Sequence, residues 1–214
     1  MRQRNKPWAD DFIQENANLI VPDPAAHRGN WQALFGNNNP IHLEIGTGKG
    51  QFIAGMAKQY PEINFIGIEL AKSVIVNAAQ KVLEEAVPNV ILLNQNAKDL
   101  REFFQANEIA TIYLNFSDPW PKTRHAKRRL TYRSFLEQYE EILQDGKGIV
   151  QKTDNRALFE FSLVSYSQYG MRLEEVSLDL HALEDPENVK TEYEEKFSAK
   201  GQPIYRCRAV FLNK

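Results

Sequence analysis

The chain has 214 residues, 43% apolar and 25% charged, with a formal net charge of −2. Those figures suit one large α/β domain with a proper core and exclude a chain disordered throughout. With one cysteine (Cys207), no Cys/His cluster at zinc spacing, no apolar stretch near 18 residues and no signal-like start, the expectation is a soluble, cytoplasmic, metal-free protein without disulfides.

In chain order, residues 1–40 lack a sustained period, contain Pro7, Pro22, Pro24 and Pro40, and read as an arm with one or two short helices. Residues 1–8 hold Arg2, Arg4 and Lys6 and no acid. Gly36-Asn37-Asn38-Asn39-Pro40 is a loop leading into the main domain. Ile41–Ile45 is a short apolar strand, and after a glycine turn Phe52, Ile53, Met56, Ala57 and Tyr60 recur at helical spacing. Ile63–Glu69 reads as a strand, and Ala71, Val74, Ile75, Ala78, Ala79, Val82 and Leu83 fall on one helical face. Val90–Leu93 and Thr111–Phe116 are further strands, separated by a short helical stretch around Leu100–Phe104. A helix from about Thr131 buries Phe135, Leu136, Tyr139, Ile142 and Leu143, and Asp145-Gly146 is its expected stop. Gly148–Lys152 is a fifth strand and Ala157–Ser167 a helix closed by Gly170. Arg172–Leu180 and Ile204–Phe211 then form an antiparallel pair. Five β/α alternations with a terminal hairpin predict a mostly parallel sheet covered by helices, with its ligand at the carboxyl ends of the strands.

Charge is distributed unevenly along this order. Residues 121–133 carry Lys122, Arg124, Lys127, Arg128, Arg129 and Arg133 without an acid. With the three cations near the start, nine of the 26 basic residues sit in two short stretches, and the rest of the chain has 17 basic against 28 acidic residues. An acidic body disfavours diffuse binding to a polyanion, so a nucleic-acid contact would be focused on one patch; solvated loops are the plain alternative.

The strand ends carry the chemistry. The first leads into Glu44-Ile-Gly46-Thr-Gly48-Lys-Gly50, a turn that lets backbone approach a ligand, although a tight turn alone would also use glycine. Glu44 beside it would repel a pyrophosphate and suits a cationic ligand. Glu69, at the end of the second strand, stands where a carboxylate grips a ribose hydroxyl pair. The third strand runs into Asn94-Gln95-Asn96, where an amide can bond an adenine edge or simply cap the loop. The fourth ends in Asn115-Phe-Ser-Asp118-Pro-Trp120-Pro, two prolines presenting an acid and an aromatic beside the basic run. Asp154 follows the fifth strand, as a site acid or a helix N-cap. Thr191-Glu192-Tyr193-Glu194 lies before the last strand, where a solvated helix start would explain its charge equally well.

Taken together these motifs resemble the bacterial tRNA (guanine-N7)-methyltransferases that use S-adenosylmethionine. The resemblance runs from the Arg-x-Arg-x-Lys start through Glu44-Ile-Gly-Thr-Gly-Lys-Gly and Gly67-Ile-Glu69. It continues in Tyr113-Leu-Asn-Phe-Ser-Asp-Pro-Trp-Pro-Lys122, Lys127-Arg-Arg-Leu-Thr131, Lys152-Thr-Asp-Asn155 and Thr191-Glu-Tyr-Glu194. The Asp-Pro-Trp-Pro segment is specific, whereas the glycine turn is common to many methyltransferases. The resemblance implies a single domain over 1–214 with a Rossmann-like class I methyltransferase fold, a seven-stranded sheet with helices on both faces. It implies methyl transfer to guanine N7 in the variable loop of tRNA, with S-adenosylhomocysteine as coproduct, by a monomer or homodimer. By motif, Glu44, Gly46, Gly48, Glu69, Asn96 and Asp118 would hold the cofactor, and Asp118 would be catalytic. Lys122, Asp154, Thr191, Glu192, Tyr193 and Glu194 would hold the substrate, and Arg124, His125, Lys127, Arg128 and Arg129 would contact RNA. The family usually has Asp where this chain has Asn96. Three other readings compete: an exocyclic-amine methyltransferase, an RNA-binding module on a decayed methyltransferase fold, and a dehydrogenase. Cys207, His42 and His181 read as packing or structural residues.

Overall fold

The computed structural model describes residues 6–212, so Arg2 and Arg4 lie outside the described residues. Seven strands form one sheet: β1 (Ile41–Ile45), β2 (Asn64–Ile68), β3 (Val90–Leu93), β4 (Ile109–Asn115), β5 (Leu143–Thr153), β6 (Arg172–Ser177) and β7 (Tyr205–Val210). Their order is β3-β2-β1-β4-β5-β7-β6. The first five run parallel, and β7 is antiparallel to both β5 and β6. From β1 the chain steps outward through β2 and β3, then returns to lay β4 against the other side of β1. The carboxyl ends of β1 and β4 therefore flank the switch in strand order, where an open α/β sheet leaves a crevice.

The apolar pattern explains the layering. On β2 and β3, Phe65, Val90 and Leu92 pack on one face, and Ile66, Ile68, Ile91 and Leu93 on the other. This is the period-two alternation of a strand buried on both sides. After two short helices, α1 (Ala9–Glu15) and α2 (Trp31–Phe35), the first face is covered by α3 (Gln51–Gln59) and α4 (Lys72–Glu84), which contribute Phe52, Ile53, Ile75, Ala78 and Val82. The second is covered by α5 (Arg133–Ile142) and α6 (Arg156–Tyr169), through Leu136, Tyr139, Phe159 and Tyr166. Gly50 permits α3 to lie against α4, because a Cβ there would stand 2.7 Å from the Ala78 backbone.

Two expectations are corrected. The helix before β5 ends at Ile142, and Leu143 opens the strand by pairing with Ile109. The register then jumps to Thr111 against Gly148, and residues 144–147 bulge outward, with Gly146 at φ +67°. Asp145-Gly146 is thus a bulge within a strand, since an apolar residue followed by Asp-Gly satisfies either reading. β6 stops at Ser177, and Leu180 is buried in a short 3-10 turn, Leu180–Leu183. In the segment before residue 41, Leu19, Ile20, Val21 and Trp31 are buried and join the core. A helix over Ala9–Glu15 packs on α4. The Val21 amide donates to the Leu92 carbonyl at 3.0 Å and the Leu92 amide to Leu19 at 2.8 Å, shielding the edge strand. Trp31 is fully buried, with its indole N–H on the Phe103 carbonyl at 2.9 Å.

Candidate active site

At the end of β1 the chain reverses through Gly46 (φ +82°) and Gly48 (φ +58°), both in the left-handed region, and nothing lies within 4 Å of where a Cβ would stand. The turn is therefore held in a conformation only glycine adopts cheaply, and it faces open space that a ligand can enter. The Gly46 and Thr47 amides donate to the Ile68 carbonyl, and the Gly48 amide donates to Glu69 Oε2 at 3.2 Å. The other oxygen of Glu69 accepts from the Ala71 amide at 2.9 Å. Burial raises the Glu69 carboxyl above its ordinary range, and the charge of Asp118 adds to the effect.

Glu44 is buried within β1. Thr47 donates its hydroxyl to one carboxylate oxygen at 2.6 Å and Asn115 donates its amide to the other at 2.8 Å. Burial nevertheless dominates, and the carboxyl is pushed up to about 7. Asn115, the last residue of β4, keeps Oδ1 buried with no hydrogen-bond partner among the described residues. A buried acid, a free buried acceptor and a glycine turn with room beside it form a site suited to a ligand that brings positive charge and N–H donors.

Beyond Asn115 the backbone turns sharply. Phe116 has φ +51° and Trp120 φ +42°, a left-handed conformation that costs a bulky residue on the order of 1–3 kcal/mol unless its surroundings enforce it. Asp118 sits exposed between these two points. One end of the loop is fixed by the Phe116 amide on the Lys152 carbonyl at 2.8 Å. The Phe116 ring packs against Tyr193 at 5.0 Å between centroids, and Tyr193 stacks on Phe197 at 4.1 Å.

The third wall comes from α7 (Glu192–Ser198). Thr191 caps it, accepting from the Glu194 amide at 2.9 Å. Glu194 is fully buried and Lys152, at the end of β5, is 3% exposed; their side chains pair at 2.7 Å. Lys152 also donates to Asn188 Oδ1 at 3.2 Å and to the Val189 carbonyl at 2.8 Å, while Glu194 Oε1 receives Asn188 Nδ2 and faces His181 Nε2. Burial lowers the Lys152 ammonium, opposed by Glu194. The tyrosine hydroxyl of Tyr193 reaches Asp154 at 3.4 Å.

These walls enclose two cavities that share Gly46, Asn115 and Phe116. One, of about 480 Å³, lies between Glu69, Gln95, Asp118 and Trp120. The other, of about 350 Å³, lies between Glu44, Gly48, Thr191, Glu192 and Tyr193. Most of the acids expected at strand ends thus converge. Asn96 is exposed, and its neighbours Gln95 and Ala97 line the cavity instead. Asp154 does not cap α6, a role taken by Asn155 on the Leu158 amide. Thr191 and Glu194 are engaged within the protein, as cap and ion-pair partner, and a solvated helix start is excluded for Glu194 by its burial. In the basic run, Lys122, Arg124 and Lys127 are exposed and make no side-chain hydrogen bond or ion pair among the described residues. His125 meets the Trp120 ring edge-on, and Arg128 lies 4.8 Å over it. Arg133 pairs with Glu137, and Lys6 donates to Asn77 at 2.6 Å. Sequence reasoning missed Asn115 and Phe116, which line both cavities, and Lys152, which holds Glu194 of the α7 wall; a lysine at the end of an apolar strand was the available signal. His42 is held below its ordinary range, at about 4, by burial, and Cys207 is buried in the core.

Comparison with known proteins adds to this geometry. Residues 38–207 match a family model described as "Putative methyltransferase". A tRNA (guanine-N(7)-)-methyltransferase of Oceanobacillus iheyensis is 66% identical over 211 residues, covering 99% of each chain. The corresponding protein of Lysinibacillus sphaericus is 63% identical over 215 residues, covering 100% of each. Among solved structures, a SAM dependent methyltransferase from Aquifex aeolicus shares 14% identity with a TM-score of 0.55, over 95% of this chain and 98% of that one. At that identity the likeness shows the Rossmann-like fold alone, and it matches the expected fold class.

Proposed function

The chain belongs to the tRNA (guanine-N(7)-)-methyltransferase family, and on that premise we propose that its two cavities, joined at Gly46, Asn115 and Phe116, together hold cofactor and base. It is an S-adenosylmethionine-dependent enzyme that methylates N7 of guanine in tRNA; the variable loop is the proposed location of that guanine and the cytoplasm its proposed compartment. When bound, S-adenosylmethionine supplies an electrophilic methyl group on a sulfonium centre. Glu44, Gly46, Gly48, Glu69 and the Asn96 segment would hold it. The observation that carries this assignment is the buried Glu44 carboxylate beside a glycine turn with open space and the unpartnered Asn115 Oδ1.

Guanine N7 has an in-plane lone pair and no proton at neutral pH, so the chain need not supply a general base to expose the nucleophile. Its residues act by placing the base and by offering charge where charge develops. Methylation leaves the purine positive, and the Asp118 carboxylate stabilises that charge. Asp154, held by Tyr193, and Asp118 are acceptors for the guanine N1–H and amino group, which adenine lacks in that arrangement. Glu192 and Tyr193 wall the base side, with the Phe116 and Tyr193 rings as a stacking surface. Thr191 and Glu194 set the position of that wall from within. Lys122, Arg124, His125, Lys127 and Arg128 lie together beside the Asp118 loop, where they would meet tRNA phosphates. A base engaged in tertiary pairing has to leave its partners to enter, at a cost of about a few kcal/mol.

The test is Asp118→Ala assayed for turnover and tRNA affinity separately. We expect a large loss of kcat with tRNA binding kept; wild-type turnover in the variant would remove Asp118 from the reaction.

A further inference from the structure

We propose that Arg129 is a positioning residue for the Asp118 loop and not a contact to RNA; the inference rests on the role of Asp118 given above. Arg129 Nε donates to the Pro119 carbonyl and Nη2 to the Trp120 carbonyl, both at 3.1 Å. Those carbonyls belong to the two residues that immediately follow Asp118. The same guanidinium lies 4.3 Å over the ring of Phe161, which stands on α6. One half-buried side chain therefore ties the loop after β4 to a rigid helix.

The loop has a physical need for such a clamp. Asp118 is bracketed by Phe116 at φ +51° and Trp120 at φ +42°, and bulky residues leave that region unless something holds them. Pro119 and Pro121 have no N–H, so this stretch cannot fasten itself through its own amides at those positions. Its carbonyls remain, and they point at a donor. A planar fork with fixed N–H directions can serve two adjacent carbonyls while its face rests on an aromatic ring; an ammonium can do neither in the same way. The neighbouring cations behave differently. Lys122, Arg124 and Lys127 are exposed, and the exposed Arg128 packs over the Trp120 ring. The basic run thus divides into an outward group fit for a polyanion and one inward arginine spent on the backbone.

The experiment compares Arg129→Ala and Arg129→Lys with the unaltered full chain labelled with 5-fluorotryptophan. Trp8, Trp31 and Trp120 give three fluorine resonances, and Trp120 is assigned by its loss in Trp120→Phe. In both Arg129 variants the Trp120 resonance should shift or broaden while those of Trp8 and Trp31 stay, which also reports an intact fold. The variants should lose about a hundredfold in kcat, the scale of a displaced reacting group. Their tRNA Kd and its salt slope should stay within about twofold of the parent's. Lysine keeps the charge, so a phosphate contact would be rescued by Arg129→Lys and a clamp would not. An unmoved Trp120 resonance overturns the proposal. So does a salt slope shallower by about one phosphate, with kcat at saturating tRNA intact. Failure of the unaltered chain to methylate tRNA would dismiss the assigned activity, and the Trp120 resonance would still decide the clamp.

Discussion

Replacing Glu194 with leucine removes the only carboxylate among the described residues that contacts the Lys152 ammonium, which is 3% exposed behind the wall formed by α7. Two neutral acceptors remain to it, Asn188 Oδ1 at 3.2 Å and the Val189 carbonyl at 2.8 Å. Breaking a buried ion pair from one side costs about 3–5 kcal/mol, because the surviving charge is left in a medium that solvates it poorly. Here the lower end applies, since burial already lowers the lysine and it can shed its proton instead of staying charged. For a chain of this size, about 3 kcal/mol moves Tm by roughly 6–12 °C. Circular dichroism melts at neutral pH measure it. Lys152→Met combined with Glu194→Leu should recover most of the loss, because no uncompensated charge is left behind. A single variant melting within about 2 °C of the parent would refute the reasoning, and so would a double variant no more stable than the single one.

Three other outcomes follow from the site. Glu44 titrates near 7 when the protein is free, whereas holding a cationic ligand requires its ionised form. Cofactor affinity by calorimetry should therefore fall up to tenfold per pH unit below about 7, and Glu44→Gln should bind weakly with no such slope. Because the folded value lies above the ordinary 4.5, Glu44 favours folding most below about 4.5 and that contribution fades as pH rises through 7; Glu44→Gln should flatten this part of the stability profile, amounting to about 3 kcal/mol. Substituting Arg124, Lys127 and Arg128 together by alanine should weaken tRNA binding and make the salt dependence shallower by up to about three phosphates, with cofactor affinity unchanged; an unaltered slope would place these cations away from phosphate.

Much of this architecture is legible in the chain because the parallel strands are short apolar runs ended by conspicuous polar residues. Glu44, Glu69 and Asp118 stand out for that reason, and the fold brings all three to the switch point between β1 and β4. What stayed hidden depends on distance along the chain. The Lys152–Glu194 pair joins residues 42 positions apart, and nothing local distinguishes Glu194 from the half-buried Glu192 and the exposed Glu195 of the same helix start. Arg129 lies in a basic run where every cation reads alike, and only its carbonyl partners separate it from Arg128. The docking of Leu19–Val21 on β3 rests on a single bridge, too short for a strand signal. The end of α5 was misplaced because Leu143 satisfies the helical period and the strand alike.

The most direct measurement is transfer of labelled methyl from S-adenosylmethionine to an unmodified tRNA transcript, followed by identification of the modified nucleoside and its position. The account predicts N7-methylguanosine at one position in the variable loop, and no label when that guanosine is replaced by its 7-deaza analogue. Label appearing on an exocyclic amine, or persisting on the 7-deaza transcript, would contradict it.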